Sequence, residues 1–420
     1  MKRLWLVLGA LATALLMRRS IAWGISATTG GSTWGQILFV CDERDGGHPA
    51  RDVAELYDPI SNQFAALRPV MMTGRTGTTA TVIVTGPNAG KILVAGGFNQ
   101  KKGPLASSEL YDPATNRFTG GPNLSIDLDD HTATVIGSGP RSGWILIAAL
   151  RTTNLYDPLS NDFLVGPGMI SERIDHTATT IPSGPNAGKI LFAGGMGHSG
   201  TVTDLYDPTH DSFEPGPPMN FGRDQQTASV IPTGPDAGKI LLVGGWGERL
   251  IKEDIAVPVP LASTELYDPA TNRFAPPKGT ATLKFARGSH TATVISLGPN
   301  TGKILIAGGQ QDDEHVLSST EIYDVAANRF DPGAVMHSAR TQHAAMAIAS
   351  GPNAGKILIA GGLGLQCDRH GCASVPLFST EIYDPVANAF TRGPDMRGAP
   401  GDLVAVQLPQ SPPKQGTSGF

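Results

Sequence analysis

HTATTIPSGPNAGKILFAGGMGHSGTVTDLYDPTHDSFEPGPPM, from His176 to Met219, is the stretch on which the fold turns. Threonines alternate with apolar residues in HTATTI, and SGPNAG supplies the glycine, proline and asparagine of a tight turn. KILFA then runs apolar until Gly194-Gly195 stops it, so the segment reads as a β-hairpin closed by a glycine break. A variable loop leads to TDLYDP, where Tyr206 ends a third strand and Asp-Pro opens a turn. Phe213 sits on the fourth strand.

Nearly the whole chain rewrites this paragraph. The second-strand motif recurs as GQILFVCD from Gly35, GKILVAGG from Gly90, GWILIAAL from Gly143, GKILFAGG from Gly188, GKILLVGG from Gly238, and GKILIAGG from both Gly302 and Gly355. All seven tyrosines, Tyr57, Tyr111, Tyr156, Tyr206, Tyr267, Tyr323 and Tyr383, share one [LI]YD context. At a constant offset follow Phe64, Phe118, Phe163, Phe213, Phe274, Phe330 and Phe390. Two independent counts of seven, at a period of roughly 50 residues with four short strands per unit, predict an all-β, seven-bladed β-propeller with four-stranded blades. The tyrosines and phenylalanines are expected between blades.

The motifs HTAT, GK[IV]L.AGG and ELYDP.TN.F resemble the bacterial type of kelch-repeat β-propeller, over residues 35–408. The resemblance implies a kelch-type propeller within the superfamily that includes galactose oxidase. Departures are local: Cys41-Asp42 and Ala149-Leu150 replace the glycine pair, and phenylalanine stands where many kelch repeats carry tryptophan. First-strand motifs begin at Thr78, His131, His176, Gln226, His290 and His343, and none precedes Gly35. LVAVQL from Leu403 is a degenerate seventh copy, so the C-terminal strand is expected to join the first blade and close the ring.

Outside the repeat, Met1-Lys2-Arg3 and the apolar run Leu4 to Met17 suit a signal peptide, with Ser20-Ile21-Ala22 as a cleavage pattern. Arg18 and Arg19 leave an uncleaved N-terminal signal anchor open. The domain plan is therefore signal peptide or anchor at 1–24, linker at 25–34, propeller at 35–408 and a solvated tail at 409–420. Export, to the periplasm, the medium or a membrane anchorage, is the expected localisation. Cys367 and Cys372 bracket CDRHGC and can close a disulfide after export; a metal clip with His370 is the alternative reading, and Cys41 is expected to be a buried small hydrophobe.

With charged residues at 16%, a net charge of -5 and the two signs interspersed, no basic stripe points to nucleic acid. Glycine (52) and proline (33) sit at repeat positions and are turn chemistry. In a four-stranded antiparallel blade the loop after strand two and the link to the next blade share one face. There the copies diverge, at Glu43 to Asp52, Phe98 to Ser107, Trp246 to Ser263, Gln310 to Ser318 and Leu363 to Ser379. The link arginines Arg75, Arg173, Arg223, Arg287 and Arg340 recur three residues before the histidine position, with Leu128 instead in blade three. They can either ring the channel mouth as contacts for an anionic ligand or bond backbone carbonyls of the adjoining blade. His131, His176, His290 and His343 read as structural donors. Asp130-His131 and Asp175-His176 make no acid/base dyads, since neighbours on a regular strand point to opposite faces.

Three function classes fit the propeller. The leading reading is an exported binding module for a protein or carbohydrate ligand of anionic character, needing no cofactor and acting as a monomer, with the membrane involved only through an uncleaved leader. The alternative is a non-redox carbohydrate-active enzyme resembling kelch-type sialic acid epimerases. A copper-radical oxidase resembling galactose oxidase needs tyrosines beyond the repeat set, and the chain has none to spare.

Overall fold

A computed structural model describes residues 35–42, 54–64, 70–196, 200–252, 255–369, 371–398 and 401–409. The leader, the linker, the Glu43 to Asp52 loop and the tail beyond 409 lie outside the described residues, as do the side chains of Cys41 and His370. Every regular element among the described residues is a strand, and the main ones form seven four-stranded antiparallel sheets. Blade four shows the unit: Thr177–Thr180, Ile190–Ala193, Thr203–Asp207 and Ser212–Pro215 pair in chain order, with Ile190 opposite Tyr206 and Tyr206 opposite Phe213. The innermost strand of each blade touches those of both neighbours, which completes the circle.

The second strands are apolar at every position, not at alternate ones, because both of their faces are buried. In blade one, Ile37 and Phe39 enter the core shared with blade seven, while Leu38 and Val40 enter the core shared with blade two. All seven tyrosines are buried and belong to such inter-blade cores. Each stacks at a tilt on the phenylalanine of its own blade, with ring centroids 5.0 to 5.5 Å apart. Each tyrosine hydroxyl donates to the side chain five residues on, as in Tyr206 to Asp211 at 2.9 Å and Tyr267 to Asn272 at 3.0 Å. Those partners sit at positive φ, from 47° to 55°, where asparagine and aspartate are tolerated best.

The closing strand is where LVAVQL predicts it. Gly401–Gln407 runs antiparallel to Ile37–Asp42, with Ile37 opposite Gln407 and Val40 opposite Val404, and forms the inner strand of blade one. Leu408 N–H donates to the Gln36 carbonyl at 3.0 Å.

Candidate functional site

The two faces of the ring are built differently. On one face, the turn after strand one of each of blades two to seven rests on the turn after strand three of the next blade. A Cβ placed on Gly86 would lie 2.1 Å from the Pro158 carbonyl oxygen, on Gly139 2.4 Å from that of Pro208, and on Gly351 2.0 Å from that of Pro59. Asn88 Nδ2 donates across the same joint to Asn161 Oδ1 at 2.9 Å. The GPNAG and YDP repeats are thus consumed by joining blade to blade.

On the other face the loops between strands two and three stand clear of the frame. They form hairpins in blade two (Phe98–Asn99 with Gly103–Pro104), blade five (Trp246–Lys252 with Ile255–Pro260), blade six (Gln310–Asp312 with His315–Val316) and blade seven (Leu363–Asp368 with Gly371–Pro376). The hairpins of blades five, six and seven touch in sequence and make one wall. In blade seven Cys367 faces Cys372 across the hairpin and the two are bonded, so neither thiolate is available for the metal clip. Blade three has only a turn at Leu150-Arg151 in place of a hairpin. Away from this face, a depression of about 580 Å3 lies beside Lys239, Asp268, Arg273 and Phe274, where the outermost strand of blade five is cut to Arg273–Phe274.

The link arginines take the structural role and not the ligand role. Arg75, Arg173, Arg223, Arg287 and Arg340 are at most 2% exposed, and each guanidinium turns into the blade that follows it. Arg287 Nη1 donates to the carbonyls of Gly308 at 2.7 Å and Ser319 at 3.0 Å, while Nη2 reaches Glu321 at 2.9 Å. The same carboxylate accepts the backbone N–H groups of Lys284 and Phe285 from the link, so it clamps the link in place. The other pairs are Arg75 with Glu109, Arg173 with Asp204, Arg223 with Glu265 and Arg340 with Glu381, at 2.9 to 3.6 Å. Desolvation pulls the guanidinium pKa down at Arg173, Arg223, Arg287 and Arg340, and the facing carboxylate opposes it; with Arg223 at about 10, the charge is kept at neutral pH. Blade three carries Leu128 in place of arginine and Asn154 in place of the carboxylate, a joint loss of both charges. Asn154 Oδ1 still accepts the Ser125 N–H at 2.8 Å. Fully enclosed, the five arginines present no donor to a ligand at the channel mouth.

The histidines are structural as expected. Thr79 Oγ1 meets His131 Nε2 at 3.0 Å across the joint between blades two and three, and Thr132 with His176, Thr227 with His290 and Thr291 with His343 repeat it. Gln226 takes this place in blade five. Burial drives the His131 pKa to about 4 and that of His290 to about 3, and holds His176 and His343 well below the ordinary value; the nearby arginines Arg173, Arg287 and Arg340 push the last three the same way. The imidazoles also explain the glycine pair: a Cβ on Gly96 would lie 2.7 Å from His131 Cε1, and one on Gly308 2.8 Å from His343 Cε1.

The strand-parity argument that set Asp130 against His131 and Asp175 against His176 does not apply. They are not strand residues. Gly77, Asp130, Asp175, Gln225, Ser289 and Gln342 all stand at φ of 50° to 59°, two residues before the first residue of each inner strand. Each of the last five donates its N–H to the carbonyl of the one before, at 3.1 to 3.2 Å, a backbone belt running from blade two to blade seven around the channel. A left-handed non-glycine residue costs about 1 to 2 kcal/mol, so the belt fixes this rim against local backbone preference.

These sheets, their circular order and the closing strand define a seven-bladed β-propeller. No family model matches the chain, and no curated protein matches it in sequence. Among solved structures it is similar to that of YjhT, at 12% identity and a TM-score of 0.47, over 73% of this chain and 99% of that one.

Proposed function

We propose that the chain is an exported kelch-type propeller that acts as a binding module, with its ligand held on the loop face. One observation carries this reading. The turn face is closed by contacts between its own blades, whereas the loop face presents projecting hairpins that differ from blade to blade on a frame that does not. Variable loops on a rigid scaffold are where recognition resides. The apolar leader and the bonded Cys367–Cys372 pair support export into an oxidising compartment. With the link arginines enclosed, the ligand's chemistry is set by the hairpins and the exposed link residues.

The test is a screen of peptides, glycans and acidic or basic metabolites on the purified protein. It runs beside a variant whose blade five and blade seven hairpins are shortened to tight turns, and beside a second variant altered at Lys91 and Lys356 on the turn face. Binding that disappears only with the hairpin variant is the expected result. Binding that survives it, and falls with the turn-face changes, would overturn the reading.

A further inference from the structure

Among the described residues, the hairpin of blade seven is the one that carries a covalent cross-link. Its strands pair rung by rung from Leu363 with Pro376 to Asp368 with Gly371, so the ladder continues one rung past the Cys367–Cys372 bond. The base is seated separately: Thr341 and Leu363 exchange backbone bonds at 2.8 and 2.9 Å, and Leu377 N–H donates to the Gly362 carbonyl at 2.9 Å. The blade five hairpin, with strands of seven and six residues, projects from the same face and contains no cysteine. The frame therefore builds hairpins without a staple. A cross-link between cysteines five residues apart, inside strands already paired, removes little freedom from the unfolded chain.

Position, by contrast, makes the bond reactive. Cys367 is exposed and Cys372 half-buried, and Gln366, Ala373 and Ser374 beside them are exposed as well. Enclosed structural disulfides resist solution thiols, whereas exposed ones are the labile class. The tip also belongs to the wall of the loop face, because the blade six hairpin touches Leu363–Asp368, the strand that carries Cys367.

We propose that Cys367–Cys372 is a thiol-exchange site that serves as a redox latch on the loop face. The thiolate of a small thiol of the glutathione type attacks the exposed Cys367 Sγ, the sulfur–sulfur bond breaks, and Cys372 leaves as a thiolate that takes up a proton. A second small thiol then attacks the first at the mixed disulfide and releases Cys367 as a thiol. Two thiols supply the two electrons and depart as one disulfide. The freed tip frays while the base stays seated, so the wall changes and the frame does not. The proposal rests on the loop face being the recognition face and adds a chemical control to it.

The test equilibrates the full chain in a series of buffers from oxidised to reduced glutathione. Mass spectrometry follows the bonded, mixed-disulfide and dithiol forms, and hydrogen exchange reads the hairpin. The bond is expected to open within the series through a mixed disulfide, and exchange between Leu365 and Ser374 to quicken about tenfold while the blade strands keep their protection. A Cys367→Ser, Cys372→Ser double variant should exchange like the reduced chain at every glutathione ratio and melt where the wild type does. A bond that stays closed in reduced glutathione alone overturns the proposal, and so does opening that leaves hairpin exchange unaltered. A double variant that melts several degrees lower overturns it too, since the bond is then a staple. None of these readouts needs a ligand, so their failure leaves the loop face standing as the binding face, and a ligand traced to the turn face removes that reading while the exchange site remains.

Discussion

Replacing Arg287 by leucine tests the clamp between link and blade, and the size of the effect follows from what stays behind. Glu321 is 3% exposed and Arg287 is fully enclosed. Without the guanidinium, Glu321 keeps two backbone donors but loses its counter-charge, and the Gly308 and Ser319 carbonyls lose Nη1. Breaking a buried pair from one side costs about 3 to 5 kcal/mol, and the retained N–H bonds place Arg287→Leu near the lower end. Blade three shows the remedy, since Leu128 and Asn154 occupy the two places together. Arg287→Leu with Glu321→Asn should therefore recover at least about 2 kcal/mol of the single loss, a favourable coupling between two destabilising changes. The assay is a double-mutant cycle by urea unfolding, with equal slopes required of all four proteins. If the double variant is no more stable than the sum of the two singles, or Arg287→Leu leaves stability untouched, the clamp is not what holds the link.

Deleting everything from Gly401 strips the inner strand from blade one, and size-exclusion chromatography should show aggregation where the full chain is monodisperse. Stability should fall as pH drops from about 6.5 toward 4, because the unfolded chain binds protons that the four depressed histidines refuse. Four protons give a slope of about 5 kcal/mol per pH unit in mid-window, and His131→Gln, which copies Gln226, should remove about a quarter of it. Asn272→Ala should cost about 2 kcal/mol by adding left-handed strain to the lost Tyr267 bond, and Asn272→Gly less, as read from thermal midpoints. Reducing Cys367–Cys372 should expose the blade seven hairpin tip to proteolysis at an unchanged global midpoint, because the bond closes a loop within one projecting hairpin.

The blade count, the strand order and the closing strand were legible because the repeat writes them in large residues at fixed offsets. The arginines were not. Their partners lie 31 or more residues downstream, inside [ED][LI]YD motifs that read as strand, as with Arg75 and Glu109. A usable signal was present all the same, since arginine and carboxylate vanish together at Leu128 and Asn154. The channel belt left no trace in residue type: Gly77, Asp130, Asp175, Gln225, Ser289 and Gln342 share a backbone conformation and nothing chemical.

The split blade also fixes which way the molecule looks. Ile37 and Gln407 are direct partners, so the chain enters and leaves the ring side by side, at the end of blade one that opens on the turn face. Whatever grips the residues before Gly35 therefore grips the propeller from beneath, and the hairpins point away from it. Tension between the two ends meets the Gln36–Leu408 hydrogen bond first and peels the seam rung by rung, so under load blade one gives way before the six that are continuous in the chain.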